Sequence, residues 1–295
     1  MIRLLRTAGL PRVGASLSCF DALHSRFRIR VYRSRRVTLD EDVLCPNLSW
    51  SGPGSRVRLD LLLSGHARVR DAATQRWLEP GTFSVGSRLS NMYTRTSGDP
   101  LVMILCDWEL GSLGTRVPEG TTGKLAPAEA GRLLQLAGAL ERAEPWALGE
   151  ATVCLAETLR VLGAPFDVWS AGDLAEPWDP QGHVMANGLG ATLSRLEDKP
   201  MLVDLETALG LTRRQVNRLV TTFADRYGCN GSSWRPMLER WRTCCAATLS
   251  TAPGARTEEI AQAVGYSNAT VLCRTFQLTG LPSPGAMPRA VAASA

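Results

Sequence analysis

The chain has 295 residues, 44% of them apolar and 21% charged, with 33 Lys and Arg against 28 Asp and Glu and a formal net charge of +5. That length exceeds one ordinary domain of roughly 100 to 200 residues, and the composition excludes disordered and collagen-like classes. The basic excess permits a polyanionic partner, and no run approaches the roughly 18 apolar residues of a bilayer span, which argues against a membrane protein.

At the start, "MIRLLRTAGLPRVGASLSC" has its apolar stretches broken by Arg6 and Arg12, so no secretory signal is expected and a cytoplasmic location is. Nine arginines fall within the first 36 residues against the single acid Asp21. Residues 1–26 therefore read as a basic N-terminal arm, solvated and able to meet DNA phosphate or an acidic partner. The eight cysteines lack the paired spacing of a zinc or redox motif, which favours reduced, mostly buried thiols. Adjacent Cys244 and Cys245 read as small apolar helix residues. With only His24, His66 and His183 in the chain, neither a metal site nor any cofactor is expected.

From about Phe27 to Trp108 the sequence breaks into strand-like segments. "FRIRVYRSRRV" alternates apolar and basic residues, "RVRLDLLLSGHARVR" follows with a Ser-Gly break, and "PLVMILCDW" is an apolar run. Gly and Pro punctuate them, as in an antiparallel sandwich or small barrel. Residues 126–163 change to helical spacing, with Leu133, Leu136, Ala137 and Leu140 in a first helix and Val153, Leu155, Leu159 and Leu162 in a second, broken at Pro145. This segment either seals a homodimer or covers the strands. Residues 164–186 carry Gly, Pro and Asp without a helical period and are taken as a linker.

Beyond the linker a plan occurs twice. "MLVDLETALGLTRRQVNRLVTTF" puts Leu202, Leu205 and Leu209 on one helix, turns at Gly210, then puts Val216, Leu219, Val220 and Phe223 on the next. "IAQAVGYSNATVLCRTF" repeats this with Ile260, Ala261 and Val264, a turn at Gly265, then Val271, Leu272 and Phe276; the small core of this copy is expected to be Ile260, Val264, Val271 and Phe276. The two glycines are 55 residues apart (265 − 210). A short helix, a glycine turn and a second helix form a helix-turn-helix, whose second helix enters the major groove. The outward residues suit that task. Arg213, Arg214, Asn217 and Arg218 in the first copy offer arginine for guanine and asparagine for adenine. In the second copy Thr270 and Arg274 share a face, and Asn268 stands where helix N-terminal amides meet a phosphate.

These residues resemble the AraC/XylS transcriptional regulators. The resemblance covers roughly 187–289 and is most specific in "EEIAQAVGYSNATVLCRTF" followed by Ser283-Pro284; "ALGLTRRQVNRLV" resembles the first recognition helix and "SSWRPMLERWRTCCAATL" the connecting helix. It implies an all-α DNA-binding domain with two helix-turn-helix units, with Arg214, Asn217, Arg218, Thr270 and Arg274 at base-reading positions. The sequence departs from the pattern at Glu206, where a small residue is favoured, at Pro236 near the start of the connecting helix, and at Met287, where an aromatic is common. The resemblance further implies that 27–125 is a cupin-like antiparallel β-barrel serving regulation, and that the whole is an α+β multidomain chain with residues 290–295 as a tail. Expected partners are promoter DNA, RNA polymerase, and a small-molecule or protein effector at the N-terminal domain. Activation is the habit of the family. Two rival readings remain: a cupin-type small-molecule-binding protein or enzyme with a helical assembly tail, and a regulator acting mainly through a partner protein.

Overall fold

A computed structural model describes residues 2–23, 27–40, 56–70, 75–86, 91–95, 100–109, 121–142, 179–227 and 233–293. Eleven strands come first: β1 (Ile2–Leu10), β2 (Ala15–Leu23), β3 (Phe27–Arg35), β4 (Thr38–Asp40), β5 (Arg56–Ser64), β6 (His66–Arg70), β7 (Gln75–Leu78), β8 (Thr82–Gly86), β9 (Asn91–Arg95), β10 (Leu101–Glu109) and β11 (Thr121–Lys124). Eight α-helices follow among the described residues: α1 (Pro127–Glu141), α2 (Pro180–Leu193), α3 (Leu202–Leu209), α4 (Arg213–Tyr227), α5 (Trp234–Leu249), α6 (Thr257–Ala263), α7 (Ala269–Leu278) and α8 (Met287–Ala293).

Seven strands form one antiparallel sheet in the order β1-β2-β3-β10-β5-β8-β11, and four form a second in the order β4-β9-β6-β7. The strand-like runs read from the sequence are there as β3, β5, β6 and β10. Along β10, Val102, Ile104 and Cys106 face α1, while Leu101, Met103 and Leu105 face the opposite way into a second core. Both faces of this strand are covered, which is why its sequence reads as a continuous apolar run and not as an alternation. The sheet is open among the described residues, with β1 and β11 at its edges; the expected closed barrel is not what forms. Burial is reached by layering instead, with α1 on one face and the small sheet and C-terminal helices on the other.

Residues 2–23, expected as a solvated arm, are the hairpin β1–β2, paired from Ile2↔Leu23 to Leu10↔Ala15. Asp21 explains why so basic a segment folds in. Its carboxylate accepts from Arg28 Nε (2.6 Å) and Arg30 Nε (2.9 Å) on the neighbouring strand and from Arg6 on β1. Burial alone would raise this carboxyl, but the guanidinium groups of Arg28, Arg6 and Arg30 outweigh it and hold it well below the usual range.

The helical part starts earlier than expected. Asp179 accepts from Gly182 N–H (2.9 Å) with Pro180 in the first turn, so α2 begins inside the segment read as a linker. α2 lies against β1: a Cβ on Gly182 would stand 2.4 Å from Ile2 Cδ1, and one on Gly190 3.3 Å from the Leu5 carbonyl oxygen. Residues 164–178 and the expected second helix near Val153–Leu162 lie outside the described residues, as do Cys45, Cys154, Cys229 and His24.

Candidate nucleic-acid interface

In the first unit α3 and α4 meet at Gly210 (φ +63°). Leu205, Val216, Val220, Phe223 and Tyr227 are buried, with Leu202, Leu209 and Leu219 packed partly against them. Thr212 starts α4, donating its N–H (2.9 Å) and hydroxyl (2.7 Å) to Gln215 Oε1. At the far end of α4, Tyr227 donates its hydroxyl to Asp179 Oδ2 (3.0 Å), tying the helix to the start of α2. Glu206 is half-buried. Arg213, Arg214, Asn217 and Arg218 are all exposed.

In the second unit α6 and α7 meet at Gly265 (φ +80°). Ile260, Ala261, Val264, Tyr266, Leu272 and Phe276 are buried, and Val271 is 40% exposed. Val271 therefore does not belong to the core in which its spacing placed it. From the turn glycine to the start of the second helix is one residue more than in the first unit, with α7 beginning at Ala269, so Leu272 and Phe276, four apart, face inward and Val271 falls about 100° away. Thr270 and Arg274 are exposed on the outward face.

Asn268 caps α7. Its Oδ1 accepts from Val271 N–H (3.0 Å), and Glu258 Oε2 accepts from Ala269 N–H (3.0 Å). Two of the free amides of this first turn are thus satisfied by the protein itself.

The two units are joined by α5, sixteen residues and about 24 Å long at the usual helical rise. Its side chains from Thr243 to Leu249 are buried without interruption. Pro236 is its third residue, where no intrahelical N–H bond is lost. Tyr266 donates to Glu239 Oε2 (3.2 Å) of α5, and burial pushes its hydroxyl up to about 12. Cys244 and Cys245 are buried there, and burial pushes both thiols well above their ordinary value, which removes thiolate reactivity. None of the guanidinium groups of Arg213, Arg214, Arg218 and Arg274 is held in an ion pair among the described residues. Arg218 stands two residues after the buried Val216 and Arg274 two after the buried Leu272, so the two occupy equivalent places on their helices.

One contact had no signal in the sequence. Arg12, at the tip of the β1–β2 hairpin, donates from Nε to Glu259 Oε1 (2.5 Å), and from its second nitrogen to Glu259 Oε2 (2.8 Å) and the Gly254 carbonyl (2.6 Å). The hairpin thereby touches the second unit, beside a cavity of about 540 Å³ lined in part by Pro11, Lys199, Gln262 and Ser267. Elsewhere His66 is exposed at the start of β6, and among the described residues no group of three His, Cys, Asp or Glu is placed to hold a metal. No helix among them is long and apolar enough to cross a membrane.

No family model matches this chain, and no curated protein matches it. Among solved structures, ToxT from Vibrio cholerae is 11% identical, over 89% of this chain and 98% of its own, with a TM-score of 0.35. The AraC-like transcriptional activator CuxR is 15% identical, over 73% of this chain and 79% of its own, with a TM-score of 0.31. Protein Ylba from E. coli is 12% identical, over 36% of this chain and 44% of its own, with a TM-score of 0.27.

Proposed function

We propose that this chain is a sequence-specific DNA-binding transcription regulator of the AraC/XylS type, reading two adjacent major-groove segments with its two helix-turn-helix units. The observation that carries the reading is the equivalence of Arg218 and Arg274, two outward guanidinium groups without an ion pair among the described residues, at the same place on two helices of one plan. A guanidinium so presented matches guanine O6 and N7. Asn217 suits adenine, Arg213 and Arg214 suit phosphate or a flanking base, and Thr270 joins Arg274 in the second half-site. Asn268 serves by capping and aiming α7. The rigid α5 sets the separation, so that the units enter successive major grooves about 34 Å apart on one face of the duplex.

The N-terminal sheets then form the regulatory part, which receives a small-molecule or protein effector. The protein acts in the cytoplasm with RNA polymerase as its further partner, as an activator able to pair as a homodimer. The test is selection of bound sequences from random duplex DNA by the full chain at near-physiological salt, followed by titration at several salt concentrations. Two short motifs about one helical turn apart, with affinity falling steeply as salt rises, are expected. Arg218→Ala and Arg274→Ala should each cost about 1 to 3 kcal/mol and relax a different motif. Binding without sequence preference in all three proteins would refute the reading.

A further inference from the structure

The two units turn chemically unlike faces outward. The first two turns of α4 expose Arg213, Arg214, Asn217 and Arg218, three cations and an amide, together with Gln215, and no large apolar side chain of that helix is exposed. On α7 two of the exposed residues are apolar: Val271 is 40% exposed and Leu278 77%. With Arg274 between them they stand at positions i, i+3 and i+7, which is one stripe of a helix.

The core does not need Val271, because Leu272 and Phe276 already fill it at 0% exposure. Nor does the first turn of α7 favour a phosphate beside Val271, since the amides of Ala269 and Val271 are taken by Glu258 and Asn268. What remains is a branched aliphatic surface one turn ahead of a guanidinium, on a helix built to enter the major groove. That groove presents a single apolar group, the C5 methyl of thymine.

Resting on the DNA-reading function above, we propose that Val271 packs on a thymine C5 methyl in the half-site whose guanine is read by Arg274. The two half-sites then differ in chemistry. The first is read by hydrogen bonds from cationic and amide groups to purine edges, the second largely by apolar contact around one guanidinium. The bound site is therefore not palindromic, and one protein lies on it in one orientation. Salt dependence is carried mainly by the first unit, where three of these four arginines stand.

The experiment takes the selected site and replaces each thymine in turn by deoxyuridine, which removes only the methyl group. Binding by the full chain is then measured for wild type and Val271→Ala, with thymal melting of both proteins as the folding control. In the wild type one thymine of the second half-motif is expected to lose about fourfold in affinity on replacement, the worth of one buried methyl. Val271→Ala should lose a similar factor on the thymine site and show no further loss on the deoxyuridine site, while first-half thymines behave alike in both proteins. A wild type indifferent to deoxyuridine throughout the second half-motif would overturn the proposal. So would a methyl effect that persists undiminished in a folded Val271→Ala. Either result would leave the two-unit reader standing, because the motif had been recovered; recovery of no motif would overturn both.

Discussion

Asp21 is the residue on which the most charge converges. Its side chain is wholly buried, and three guanidinium groups meet it from two strands. Removing the carboxylate charge leaves Arg6, Arg28 and Arg30 crowded with no opposing charge between them, and breaking a buried pair in this way costs about 3 to 5 kcal/mol. Asp21→Asn is expected to lower stability by that order in denaturant titration. The pH dependence has a definite sign. The folded carboxyl lies below its ordinary 3.8, so the unfolded chain binds the extra proton in between. The stabilisation is complete above about pH 5 and drains as pH falls through the folded value. The gap in stability between wild type and Asp21→Asn should hold from pH 7 to 5 and narrow on acidification below 4. A gap that widened on acidification would contradict the pairing. The sequence displayed Asp21 as one acid among nine arginines, but cross-strand pairing is a long-range fact, and composition alone suggested a solvated arm.

At the scale of elements the repeat was legible: a helix, a glycine turn and a helix, twice over, with Leu205, Val216, Val220, Phe223, Ile260, Val264 and Phe276 in the cores where their spacing put them. What spacing did not reveal was the extra residue between the second glycine and α7, which moved Val271 outward and made Asn268 a cap. It also made the two glycines look alike. A Cβ on Gly210 would meet nothing within 4 Å, so Gly210→Ala pays only for the left-handed conformation, about 1 to 2 kcal/mol. A Cβ on Gly265 would lie 2.1 Å from the Leu196 carbonyl oxygen, an overlap that backbone must move to relieve. Gly210→Ala should keep both half-motifs with a modest loss of melting temperature, whereas Gly265→Ala should lose the second half-motif. Equal effects of the two substitutions on binding would show that the contact at Leu196 does not position the second unit. Asn268→Ala offers a third comparison at this scale. Loss of a cap costs about 1 kcal/mol and should weaken binding at every sequence alike; a change in the preferred base would instead make Asn268 a base reader.

Across the whole molecule, the sheet and the helices of the two units share one core. Ile2, Leu4, Leu10 and Val13 of the hairpin cluster with Met185, Leu189, Leu193 and Leu196, and onward with Trp241, Ile260 and Phe276. Polar ties follow the same seam: Trp241 Nε1 donates to the Leu193 carbonyl (3.0 Å), Arg6 stacks 4.5 Å over the Trp241 ring, and Thr38 N–H donates to Thr251 Oγ1 (2.7 Å). The sequence suggested a separable regulatory domain and a linker because β1 is interrupted by Arg3 and Arg6, so its buried side was hidden in a basic composition. A shared core makes a mechanical statement: the hairpin cannot shift without disturbing α2 and the second unit, which gives an event in the sheet a direct route to the outward face of that unit. Each fully buried aliphatic side chain contributes about 1.5 to 3 kcal/mol. A protein lacking residues 1–23 therefore loses support on both sides of the seam. The full chain should unfold with tryptophan fluorescence and far-ultraviolet dichroism changing together at the seam, while the truncated chain should melt lower, bind an apolar dye, and bind DNA more weakly even with all of α3 to α7 present. Truncation that left melting and DNA affinity intact would mean that the helices stand alone and that the hairpin merely rests on them.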